Sequence, residues 1–169
     1  MEFHIHRDFA ASAAEVWAVV GERFGDLSWS SGVGRSSLEG ELGIGGVRVC
    51  EVPPNLLVKE GVVRERLLSF DREAMRLSYE AVDAPGILKH ALNRWSVSAL
   101  DDRRARVEMH ASVTFRPLFG AVAWLFAPWM RRLGRQTLDE LAEHLEASRR
   151  STLATAMTSR ARPTTSPGE

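Results

Sequence analysis

His4 and His6 stand two residues apart in the run Phe3-His4-Ile5-His6. In a strand that spacing puts both imidazoles on one face, where a pair of histidines can ligate a transition metal ion. No third ligand stands beside them in the sequence, and a solvated strand face accounts for the pair as well, so no metal is expected. Ser28, Ser30 and Ser31 surround Trp29, but the Gly-x-Ser-x-Gly elbow that exposes a catalytic serine is missing. Gly43, Gly45 and Gly46 lack the following helix and the Lys-Ser/Thr pair of a phosphate loop and read as a turn. Cys50 is the only cysteine, which leaves no internal disulfide and no cysteine-rich metal site. His90 and His144 have no evident partner.

The elements that would position these groups follow from hydrophobic periodicity. Phe3, Ile5 and Phe9 alternate with polar residues as in a half-buried first strand. Ser12-Ala13-Ala14-Glu15 matches a capping box, and Val16, Trp17 and Val20 give the helix behind it an apolar face that ends at Gly21. A second short helix is expected over Glu22–Leu27. Strand-like runs follow at Val33–Leu38, Val47–Val52, Val58–Ser69, Arg76–Val82, Arg94–Leu100 and Arg106–Phe115. Breaks fall at Pro53-Pro54-Asn55 and in a loop from Asp83 to about Leu92. Pro117 ends the strands, and Pro128 suits the first turn of a long helix running to Ser148. Hairpin-linked strands with helices at one end and on one face define an α+β class. The expected domain is 1–148. Residues 149–169, rich in Ser, Thr, Ala, Arg and Pro, are expected to form a disordered tail.

Composition narrows the function. Lys plus Arg number 22 and Asp plus Glu 22, which removes any global electrostatic attraction to nucleic acid or an anionic membrane. The apolar run Leu118–Met130 is too short to span a bilayer, and no basic-then-apolar stretch opens the chain. A cytoplasmic protein without a transmembrane segment is expected. Trp124, Phe126, Trp129 and Met130 form a greasy segment. It could line a cavity entrance or touch a membrane or partner, and covering the open edge of the sheet is the simpler account.

The element order resembles the START-like (SRPBCC) superfamily, which includes birch-pollen-allergen-like proteins, plant abscisic-acid receptors and polyketide cyclase/dehydrase proteins, the last being nearest. The matching segments are Glu15-Val16-Trp17, Val62-Val63-Arg64-Glu65-Arg66-Leu67 running into Phe70-Asp71, and Leu138-Asp139-Glu140-Leu141. The resemblance spans about Glu2 to Ala147. It implies a helix-grip fold, a curved antiparallel seven-stranded sheet around the long C-terminal helix with a ligand cavity between them. It further implies that Glu65, Arg94, Ser96 and His110 face that cavity with Val63 and Tyr79, that Trp129, Leu133 and Thr137 form the helix stripe over it, and that Arg35 falls near a ligand-gripping cation. The loops at Pro53–Asn55 and Gly86–Leu92 would gate its mouth. Strict alternation instead points His110 outward, with Val107, Met109, Ala111 and Val113 inward, and a bulge would reconcile the two.

Two activities follow from this resemblance. The cavity could carry a hydrophobic small molecule, a lipid, polyketide or aromatic compound, with Arg94 orienting a carbonyl or carboxylate. Or His110 could move a proton while Glu65 holds its ring, in a cyclase or dehydratase. The same residues could equally form an interstrand ion pair with His110 as a hydrogen-bonded filler. No cofactor is expected, the partner is a small molecule, and a homodimer is left open. A third reading makes the chain a ligand-gated partner-binding regulator.

Overall fold

The computed structural model describes residues 1–53, 61–83, 88–117 and 123–160. Strand β1 (Glu2–Phe9) buries Phe3, Ile5 and Phe9 and exposes His4, His6 and Asp8. Helix α1 (Ala13–Val20) starts with the expected capping box. The Ser12 hydroxyl accepts from the Glu15 amide at 3.3 Å and the Glu15 carboxylate accepts from the Ser12 amide at 2.8 Å. That backbone hydrogen bond holds the Glu15 carboxyl below its ordinary range.

No second helix forms over Glu22–Leu27; residues 21–25 are turns. Six residues that include Gly25 and Asp26 cannot offset the cost of nucleating a helix. The turns instead seat Phe24 in the core, 1% exposed, and pack Gly25 against Leu38.

Strands β2 (Arg35–Glu39), β3 (Val47–Val52), β4 (Gly61–Asp71), β5 (Arg76–Asp83), β6 (Leu88–Asp101) and β7 (Arg104–Phe115) join β1 in one sheet of order β1-β7-β6-β5-β4-β3-β2. Every adjacent pair is antiparallel. Register shifts at Arg64/Glu65 and Leu67/Ser69 in β4 add local bend to the sheet. Strand β6 begins at Leu88, several residues before expectation, so the latter half of the predicted mouth loop, His90 included, is paired strand. Residues 84–87 of that loop, and Pro54 and Asn55 of the other, lie outside the described residues.

After a 3-10 turn at Ala123–Phe126 comes helix α2 (Ala127–Arg160). It runs past the Ser148 boundary that composition suggested. A helix already nucleated by packing propagates through Ser, Thr and Ala at little cost per residue. Leu138, Leu141, Ala142 and Leu145 are buried against the sheet. One turn earlier, Gly134 brings the helix axis close: a Cβ there would stand 2.4 Å from Ile5 Cδ1 and 2.7 Å from Met109 Cε. Ion pairs fasten the helix at two more points, Arg7 with Asp139 and Arg149 with Glu15.

Candidate functional site

Between the inward face of the sheet and the first turns of α2 lies a cavity of about 550 Å³. Strand alternation decides its lining. Val63 and Glu65 from β4, Tyr79 and Ala81 from β5, Asn93 and Trp95 from β6 and Met109 and Ala111 from β7 point into it. Trp129, Leu133 and Thr137 cover it from α2. The Thr137 hydroxyl donates to the Leu133 carbonyl at 3.0 Å, so its hydrogen is committed to the helix. On one flank the Ser31 amide and hydroxyl both donate to Glu140, and Gln136 joins them through bonds of 3.1 Å to Ser31 and 2.9 Å to Glu140, which clasps the loop before β2 to α2.

Besides Glu140 at that flank, the described wall of the cavity holds an ion pair whose cation comes from a residue that sequence reasoning missed. Arg48 on β3 is 5% exposed and stands directly across the β3–β4 ladder from Glu65. Its Nε and Nη2 donate to the same Glu65 oxygen, Oε2, at 2.7 and 2.6 Å, and its Nη1 donates to the Phe24 carbonyl at 3.0 Å. The guanidinium is sandwiched by aromatic rings, 4.1 Å from the Phe24 centroid and 4.7 Å from that of Tyr79. The Cys50 thiol also approaches Glu65 Oε2, at 3.7 Å. Burial opposes the arginine's charge, but the adjacent carboxylate outweighs it and raises the guanidinium further above its ordinary range. Burial first, and Glu65 next, push the Cys50 thiol up to about 12. The same two causes push the Tyr79 phenol up to about 12.

These shifts set a sign for alkaline stability. Both groups are acids that the folded chain keeps protonated beyond their unfolded values of 9.0 and 10.0. Above those values the unfolded chain releases protons that the folded chain retains, so folding stability must fall as pH rises. Thermal melting is expected to be insensitive to these groups below pH 9 and to weaken progressively toward about 12. Cys50→Ala should blunt the first part of that fall; an identical slope in the variant would remove the thiol from the account.

Four of the expected site residues lie elsewhere. Arg94 and His110 are cross-strand partners, both exposed on the outer face of the sheet. Ser96 pairs with Glu108 on that same face. The β6–β7 register runs unbroken from Ala91↔Val113 to Ala99↔Ala105, so no bulge turns His110 inward, and plain alternation holds. Arg35 points to solvent, its side chain 81% exposed and 4.0 Å from Glu51. In the greasy segment, Phe126 stacks on Phe115 at 5.8 Å and packs with Met130 over the end of the sheet, whereas Trp124 and Leu125 remain 70% and 56% exposed. Among the described residues no helix is long and apolar enough to cross a membrane.

A bent antiparallel sheet of seven strands gripping one long C-terminal helix defines a helix-grip protein. The chain belongs to the family described as "Polyketide cyclase / dehydrase and lipid transport", which it matches over residues 1–146. Among solved structures it is similar to Zhui aromatase/cyclase from Streptomyces sp. R1128, with a TM-score of 0.73, 16% identity, and coverage of 86% of this chain and 93% of that one. It is also similar to norcoclaurine synthase from Thalictrum flavum in complex with dopamine and hydroxybenzaldehyde, with a TM-score of 0.64, 13% identity and 87% coverage of both chains. A Thermobifida fusca protein reaches 26% identity with a TM-score of 0.69, covering 85% of this chain and 92% of that one. No curated protein sequence matches the chain.

Proposed function

We propose that the protein binds a hydrophobic small molecule, a lipid, polyketide or aromatic compound, between the sheet and α2, with Glu65 meeting its polar end. The observation that carries this reading is a space of about 550 Å³ between sheet and helix whose described wall is largely apolar, with the Arg48–Glu65 pair set into it and Glu140 at one flank. Ligand sites commonly occupy roughly 300–1,000 Å³ and use a few placed polar groups to fix orientation. Among the described residues Arg48 and Cys50 converge on Glu65 Oε2, and Oε1 is the oxygen we assign to a ligand hydroxyl or amine. The compartment we assign is the cytoplasm, where a single thiol stays reduced.

A second reading, acid–base chemistry of the cyclase or dehydratase kind, is favoured by the same carboxylate. A glutamate fixed by an arginine against an apolar cargo is placed to take a proton next to a carbonyl. The resemblance to an aromatase/cyclase supports this class of reaction, with Glu65 in the working position and His110 and Arg94 outside it. Native mass spectrometry of the purified chain, with organic extraction, tests both. A discrete bound compound is expected. Glu65→Gln should weaken its retention if the protein is a carrier, and should trap it unconverted if the protein is a catalyst. A chain that stays empty when offered lipids and aromatic polyketides would defeat both readings.

A further inference from the structure

The outer face of the sheet, remote from the cavity, carries a second constellation. Strand pairing sets His4 directly opposite His110 and His6 directly opposite Glu108. Three histidines and a glutamate thus occupy the corners of two successive cross-strand pairs. The His4 and His110 rings stack with centroids 4.0 Å apart and planes 17° from parallel. The Nε2 atom of His4 lies 3.9 Å from Glu108 Oε1. One ligand atom from each of His4, Glu108 and His110 lies within 4.8 Å of the other two. His6 follows at 5.9 Å between ring centroids from His4.

We propose that His4, His110 and Glu108 form a binding site for a first-row divalent metal ion of the zinc type, with His6 beside it. Stacking alone accounts for two imidazoles on neighbouring strands. It does not account for a carboxylate reaching the same point, and two imidazoles with one carboxylate are a ligand set that zinc accepts, leaving a position for water. Tetrahedral zinc with Zn–N bonds of about 2.1 Å needs donor atoms about 3.4 Å apart. The present spacing closes to that by side-chain rotation, since His4 and Glu108 have side chains 48% and 39% exposed and His110 is exposed too. An open groove between β1 and α2 reaches His4 and His6 and gives an ion a path from solvent. Two cations face the site, Arg94 across from His110 on β6 and Arg106 two residues from Glu108 on β7; the Glu108 carboxylate offsets the first and Asp8 pairs with the second. Bound there, the ion would pin the edge strand β1 to β7.

The test uses the full chain free of any added histidine tag, titrated with zinc chloride in a calorimeter and with cobalt chloride in the visible spectrum. One ion per chain is expected, with d–d bands typical of a low-coordinate cobalt site and a melting temperature that rises with zinc. His4→Ala, His110→Asn and Glu108→Gln should each weaken binding by about tenfold or more, as loss of a ligand costs at least what loss of an outer partner does. His90→Ala and His144→Ala, remote in the sequence and chemistry of the site, should bind as the parent does. Unaltered circular dichroism in the surface variants keeps misfolding out of the comparison. The proposal is overturned if the parent chain shows no saturable uptake of either ion, or if binding survives loss of His4 and His110.

Discussion

Arg48→Ala is expected to destabilise the protein by about 3–5 kcal/mol, because it leaves a carboxylate in the interior without its cation. The magnitude follows from burial. The side chains of Arg48 and Glu65 are only 6% and 16% exposed, so water cannot replace the lost partner. The Phe24 carbonyl would lose its donor at the same time. Removing both charges together is a different case. Arg48→Met with Glu65→Leu exchanges a desolvated ion pair for apolar contacts with Phe24 and Tyr79, and such exchanges are often neutral or stabilising. Urea unfolding should therefore show a double variant closer to the parent than to either single variant. If the two single losses simply add, the pair is not acting as a unit. The double variant also isolates function: a chain that is folded, hollow and stripped of ions at its floor reveals whether cargo depends on the pair.

Ala111→Trp should abolish retention of cargo without unfolding the chain. Ala111 is part-buried on β7, opposite Phe3 and Asn93, and its methyl faces the void. An indole at that point enters empty space rather than a packed core, so the usual overpacking cost of about 1–3 kcal/mol is largely avoided. Mass spectrometry after extraction would show the parent loaded and the variant empty, with matching far-ultraviolet circular dichroism. A variant that still carries the compound would place the cargo somewhere else on the molecule.

The fold was legible where periodicity is strong. The alternation in β1 and β7, the capping box at Ser12 and the apolar stripe of α2 each translate directly into the observed elements. Glu22–Leu27 is not a helix because so short a stretch depends on tertiary context, and β6 starts earlier than expected because Leu88–Asn93 lacks clean alternation and follows the Pro85-Gly86 break, which hides its pairing with β7. The site was only half legible. Val63, Glu65, Tyr79, Trp129, Leu133 and Thr137 line the cavity. Arg94, Ser96 and His110 were moved inward by a register borrowed from relatives, although their own alternation with Trp95, Val97 and Met109 pointed them out. Arg48 escaped because a lone arginine in a strand ordinarily faces water. Pairing β3 with β4 would have set it opposite Glu65, and a buried carboxylate asks for such a cation.

The glycine in α2 has a mechanical consequence. Gly134 is where the helix rests most closely on Ile5 and Met109. On its C-terminal side Leu138, Leu141 and Leu145 are sunk in the core; on its N-terminal side Trp129, Met130 and Leu133 overhang the void. The helix is therefore a beam held on both sides of the cavity, by its leucines beyond Gly134 and by Ala127 and Met130 packed with Phe126 on Phe3, Val113 and Phe115. A ligand held as proposed would press on the span between those two supports and not on a loose end. Under the proposed function, tolerance for ligand size would rest on the stiffness of that span.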